Sequence, residues 1–176
     1  MKSARKSTYA ECEDRERSWL NIMNRLRPSQ FSRPTFSKVN SYASYDAIMT
    51  FNGEEAIVEV KIREIFADQF STAFLELNKL NRLKEKQKEL AKKGQDFKLH
   101  YYAFYPKSKK LIIFDLLTTP YFKRSVWAPR TTAQGGSQKI EKIMCEFDLE
   151  DGTTIDLSPE TEQPEKKQGP TTNPLF

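Results

Sequence analysis

Tyr45–Arg63 reads YDAIMTFNGEEAIVEVKIR, and its midpoint decides how the chain folds. Asn52-Gly53 is the dipeptide best suited to a two-residue type I′ turn, and the runs on either side are apolar and β-prone. That turn pairs Phe51 with Glu54. Counting outward, Ile48 then opposes Ile57 and Asp46 opposes Glu59. Opposed residues of antiparallel strands share a face, with Cβ atoms roughly 4.5–5.5 Å apart. Lys61, two residues beyond Glu59, joins that face. The hairpin therefore gathers two carboxylates and an amine at one end of an otherwise apolar strand pair. Adjacent carboxylates repel, and each is costly to desolvate. A hard divalent cation between them reverses the sign of that interaction, and Mg²⁺ takes carboxylate oxygens while keeping several waters. A lysine beside such a pair can orient an attacking water or stabilise charge growing on a phosphate. The bland alternative is three solvated polar residues on exposed strands, with Lys61 neutralising the acids.

Asp46, a gap of twelve residues, then Glu59-Val60-Lys61 resembles the signature of the PD-(D/E)XK nuclease superfamily, the restriction-endonuclease-like group that includes Holliday junction resolvases. Tyr45 stands where that signature has proline. The resemblance implies that Asp46 and Glu59 bind the metal, that the Val60 carbonyl completes its shell and that Lys61 serves the hydrolytic water. The implied cofactor is Mg²⁺, with Mn²⁺ as a substitute, and the implied partner is DNA. The resemblance leaves a homodimer open. It covers about residues 9–116 and implies an α/β fold: an αβββαβ core, with a mixed sheet flanked by helices.

The rest of the chain arranges itself around this hairpin. Residues 7–27 carry helical signals, with Tyr9, Cys12, Trp19, Met23 and Leu26 forming an apolar stripe. Glu16 fills a gap in that stripe. It lies either at the core margin or beside the metal site, where the family's first helix often supplies a further acid; Glu13 is the alternative if the helix is rotated. Pro28 and Pro34 open a loop before a short strand around 36–42. Arg33 and Lys38 there read as solvated charges. The spacing of Phe70, Ala73, Phe74, Leu77, Leu80, Leu83 and Leu90 predicts one long helix over 66–93, ended by Gly94. On it Gln69, Glu76 and Lys79 are second-tier site candidates by the resemblance, and Glu76–Lys79 is otherwise a surface pair. Strands over 97–105 and 111–116 form a second hairpin with a basic turn at Lys107, Lys109 and Lys110. His100 reads as a packed residue.

Beyond Pro120 the texture changes. YFKRSVWAPR (121–130) interleaves Lys123, Arg124 and Arg130 with aromatics, a pattern that holds phosphate while stacking bases or, alternatively, docks a loop on the core. Arg63, Lys107, Lys123, Arg124 and Arg130 are the candidate nucleic-acid contacts. A mobile loop is expected over 131–138, then a C-terminal β-hairpin over 139–157 turning at Asp151-Gly152, then a disordered tail rich in Pro, Glu and Gln. The expected division is a nuclease-like core over 1–120, an extension over 121–157 and a tail over 158–176.

Composition sets the limits. The 176 residues are 38% hydrophobic, enough for one core, with 12 Phe and 7 Tyr. A net charge of +5 and a pI near 9.1 suit a polyanionic partner without demanding one. One histidine excludes His-based metal clusters and argues against a Ser-His-Asp triad, and the two distant cysteines show no metal-type spacing. There is no Gly-rich phosphate loop, no membrane-length apolar run and no signal-peptide pattern. The expected location is the cytoplasm of a bacterial or phage-infected cell. Two functions remain in view: a Mg²⁺-dependent nuclease, and a non-catalytic nucleic-acid-binding or assembly protein on the same scaffold.

Overall fold

The computed structural model describes residues 9–37, 44–129 and 139–158. Its elements in chain order are α1 (Tyr9–Leu26), β1 (Thr35–Phe36), β2 (Ala47–Phe51), β3 (Glu54–Ile62), β4 (Thr72–Glu76), α2 (Leu77–Ala91), β5 (Lys98–Tyr105), β6 (Lys110–Asp115), β7 (Phe122–Pro129), β8 (Lys139–Asp148) and β9 (Thr153–Asp156). Six strands form the main sheet in the order β1-β2-β3-β5-β6-β9, and β4-β8-β7 form a second sheet. The main sheet is mixed: β3 and β5 run parallel, while its other neighbours are antiparallel. A parallel pair needs a long crossover, here made of β4 and α2.

The β2–β3 register is the one the Asn-Gly turn dictates, with Phe51 opposite Glu54 and Ile48 opposite Ile57. Asn52 and Gly53 both have positive φ, 49° and 87°, as a type I′ turn requires. β5, KLHYYAFY, is buried on both faces after its first residue, because its two faces feed different cores. Leu99, Tyr101, Ala103 and Tyr105 meet Leu80 and Leu83 of α2 and Ala73, Leu75, Cys145 and Phe147 of the second sheet. Tyr102 and Phe104 join Val58, Val60, Leu20 and Met23 on the α1 side. The main sheet is thus the middle layer, with α1 on one face and α2 plus the second sheet on the other.

Four expectations change. The helix over 66–93 is a loop, strand β4 and the shorter α2. Phe70 is exposed rather than on a buried stripe, while Ala73 and Leu75 are buried. The segment TAFLE has an apolar period of two as well as of three to four, and pairing Ala73 with Phe147 and Leu75 with Cys145 settles it as strand. The strand expected over 36–42 is the two-residue β1, and residues 38–43 lie outside the described set. The segment 121–130 is edge strand β7, not a docked loop, and Phe122 and Trp127 are 69% and 71% exposed. The C-terminal antiparallel ribbon pairs β7 with β8. Across Asp151-Gly152 the chain instead leaves the second sheet, and β9 pairs with β6 of the main one. Gly152 makes that passage: a Cβ there would sit 2.5 Å from Ile112 Cγ2. The expected mobile loop over 131–138 and the tail from 159 onward lie outside the described residues.

Candidate active site

β3 runs through the middle of the main sheet and alternates its side chains between the two cores. Ala56, Val58 and Val60 face α1, and Ile57 faces α2. Glu59 and Lys61 continue the Ile57 face. Glu59 is therefore a carboxylate with none of its surface exposed, on the sheet face that meets α2. Such a group must be paired. Lys61 Nζ lies 3.0 Å from its Oε1 and Lys79 Nζ, from the first turn of α2, 2.7 Å from its Oε2. Both oxygens are buried, and each is compensated by one ammonium.

Asp46 precedes β2 and supplies what the strand no longer does. Its backbone N–H donates to the Val58 carbonyl at 2.9 Å, and its Oδ2 accepts the Val60 N–H at 2.8 Å. The N–H and C=O of one strand residue point the same way, so the Val60 carbonyl is directed toward the Asp46 side. Glu16 comes in from α1, with Oε1 3.3 Å from Lys61 Nζ. Asp46, Glu59, Lys61 and Glu16 thus converge, as the hairpin register and the gap in the α1 stripe predict. Glu13 is turned to Arg17, 2.6 Å away.

The four residues line a cleft of about 540 Å³ bounded by α1, the C-terminal half of β3, the β4–α2 junction and the inward face of β7 and β8. The electrostatics follow from this setting. Asp46 is half-buried, but the cleft walls crowd it; burial, with Glu59 adding to it, pushes its carboxyl up to about 8. Burial also raises Glu16, Lys61 opposing and Glu59 reinforcing. At Glu59 burial acts upward too, but the ammoniums of Lys61 and Lys79 outweigh it and hold the carboxyl below its ordinary value. Lys61 is pulled down by burial and held well above its ordinary value by Glu59, Glu16 and Asp46.

The remaining candidates separate. Gln69 is exposed in the β3–β4 loop and does not line the cleft, because the helix that would have aligned it with Glu76 is absent. Glu76 and Lys79 both line the cleft, but they are not partners: Glu76 pairs with Lys142 at 2.7 Å and Lys79 with Glu59. Arg63 lines the cleft and donates to the Phe74 carbonyl at 2.5 Å and to the Tyr101 hydroxyl at 2.9 Å, tying β4 to the main sheet. Lys107 is exposed, its ammonium 5.6 Å from the Phe66 ring. Lys123 and Arg124 are exposed on β7, Arg124 lying 3.7 Å from Glu146, and Arg130 lies outside the described residues. His100 is buried beside Phe51 and Tyr102, as a packed residue should be. Sequence reasoning missed Lys142, whose side chain is only 12% exposed, and the whole β7–β8 wall. The alternation in KIEKIMCEFD marks a strand but not its partners.

The donor set fits a hard divalent cation: two carboxylates, Asp46 and Glu59, lining one cleft beside a strand carbonyl. Among the described residues no group of three or more His, Cys, Asp and Glu is placed to hold a metal ion; Mg²⁺ can bind through one or two carboxylates, its other positions going to water and substrate phosphate.

No protein-family model matches the chain, and no curated protein matches it. Among solved structures, Hjc, a Holliday junction resolvase from the archaeal hyperthermophile Archaeoglobus fulgidus, is similar over 81% of this chain and 91% of its own, at 15% identity and a TM-score of 0.48.

Proposed function

We propose that the protein is a divalent-cation-dependent nuclease that hydrolyses phosphodiester bonds in DNA. The observation that carries this reading is Glu59: a fully buried carboxylate held, among the described residues, only by two lysine ammoniums, beside Asp46 and Lys61 on a cleft. Burying an acid is costly even when it is paired, and this one sits on an open cleft beside a second acid, where a divalent cation can replace an ammonium as its partner.

Asp46, Glu59 and the Val60 carbonyl would hold Mg²⁺ or Mn²⁺. When bound, such an ion supplies Lewis-acid stabilisation of phosphate charge and lowers the pKa of a water. The chain's own groups do the rest. Lys61, anchored between Glu59 and Glu16, presents an N–H to the attacking water or to a phosphate oxygen and fixes its position. Glu16 holds Lys61 in that place and accepts a hydrogen bond from the same water. The Val60 N–H holds Asp46 through Oδ2, which leaves Oδ1 outside that bond. The open cleft and the exposed cations Lys107, Lys123 and Arg124 give a polyanion its approach, through sequence-independent phosphate contacts.

The test is incubation with supercoiled, linear, branched and single-stranded DNA in Mg²⁺ or Mn²⁺. Asp46→Ala and Lys61→Ala should each lower cleavage by at least about a thousandfold, the scale of losing a principal electrostatic group. Their circular dichroism should be unchanged. Full cleavage by purified Asp46→Ala would refute the assignment.

A further inference from the structure

α2 begins with a cation where a helix disfavours one. Lys79 is the third residue of α2, and no acidic side chain accompanies it in that turn. The N-terminus of a helix carries partial positive charge, so an ammonium there is opposed by the macrodipole. Its placement is explained by what it reaches. Lys79 Nζ is 2.7 Å from Glu59 Oε2, with its side chain 26% exposed, whereas Lys61 occupies Oε1. The two lysines differ in their other obligations. Lys61 is also held by Glu16; Lys79 has Glu59 alone among the ion pairs of the described residues.

We propose that Lys79 is the resident counter-ion of the metal site. It neutralises Glu59 Oε2 while no divalent cation is there and competes with that cation for the same oxygen. Once displaced, its ammonium faces the cleft, where a substrate phosphate is the partner its charge and position suit. Lys79 is in this sense a positioning residue: it keeps a buried acid ionised and correctly turned until the cation arrives. The inference rests on the nuclease reading above and adds to it a regulated cation affinity, set by a residue outside the Asp-Glu-Lys signature.

The experiment is Mn²⁺ titration calorimetry on the full chain without nucleic acid. Lys79→Met removes the charge but keeps the length of the stem. It should bind Mn²⁺ about tenfold more tightly, a difference of roughly 1.4 kcal/mol, while Lys79→Arg stays near wild type. Cleavage by Lys79→Met at saturating Mn²⁺ should fall, since the phosphate loses a partner. Equal or weaker Mn²⁺ binding by folded Lys79→Met overturns the proposal. Absence of Mn²⁺ binding by both wild type and Lys79→Met overturns the metal reading itself, and the proposal with it. A measurement that needs no variant is the Lys79 side-chain NMR signal during Mg²⁺ titration of the wild type. It should move with the midpoint of cation binding, and a stationary signal rules the competition out.

Discussion

Two glutamates in this protein are each clasped by two lysines, at nearly the same distances. Glu89, on the far part of α2, has Lys86 at 2.9 Å and Lys93 at 2.7 Å. Glu59, in the main sheet, has Lys61 at 3.0 Å and Lys79 at 2.7 Å. The Glu89 side chain is 49% exposed and that of Glu59 1%. At Glu89 the hydrogen bonds from Lys93 and then Lys86 draw the carboxyl down to about 2, with water as the alternative partner for every group. At Glu59 the lysines work against a burial that would otherwise neutralise the acid. Identical charges thus do different jobs. On the surface they decorate a helix at little net value; in the sheet they are the condition on which a buried charge exists.

The largest expected effect breaks that symmetry directly. Lys61→Met leaves Glu59 with half of its compensation. Urea unfolding in metal-free buffer should show a loss of about 2 kcal/mol, below the full range for a severed buried pair because Lys79 remains and the cleft admits water. Added Mn²⁺ should recover part of it. The matching change on the surface, Lys93→Met, should leave the unfolding curve unmoved. Equal losses at the two sites would mean that burial is not what distinguishes them.

The same comparison shows what could be read from residues alone. The β2–β3 hairpin was legible to the level of register because Asn52-Gly53 admits essentially one turn, and a register fixes which side chains share a face. Asp46, Glu59 and Lys61 follow from that, and Glu16 from its place in the α1 stripe. Glu76 and Lys79 were legible as candidates but not as contacts: a spacing of three on a helix suggests a pair, and here Glu76 ends a strand before the helix starts. Gln69 failed for the same reason. The role of Thr72–Glu76 and of the 139–157 segment depends on pairing between residues some 70 positions apart, such as Leu75 with Cys145. No local pattern encodes a partner that distant.

A middle-sized effect separates the two carboxylates within the site. Asp46 has a folded value of about 8 against an ordinary 3.8. Its contribution to stability is therefore complete below about pH 4 and is lost as pH rises toward 8. Glu59 is shifted the other way, so its contribution is present above its ordinary 4.5 and is lost as pH falls through its lower folded value. Asp46→Asn keeps an acceptor for the Val60 N–H and removes the first slope. In metal-free denaturation at a series of pH values, wild type and Asp46→Asn should differ least near pH 8 or favour the variant, and diverge in favour of wild type toward pH 5. A pH-independent difference would show that Asp46 is solvated like an ordinary aspartate. With Mn²⁺ present, wild type should regain its advantage at high pH, since the cation replaces the proton.

The smallest effect lies with Glu89. Its depressed value rests on two ammoniums surrounded by solvent, and screening reaches exposed charges first: the Debye length shrinks from about 10 Å at 0.1 M salt to roughly 3 Å at 1 M. A carboxyl-detected NMR titration should place Glu89 near 2 at low ionic strength and move it back toward the ordinary range as salt is added. Glu59 should move less over the same series, because its ammonium partners lie against it inside the protein, where salt screens a charge pair far less than at the surface. If Glu59 drifted as far as Glu89, burial would not be what separates the two sites.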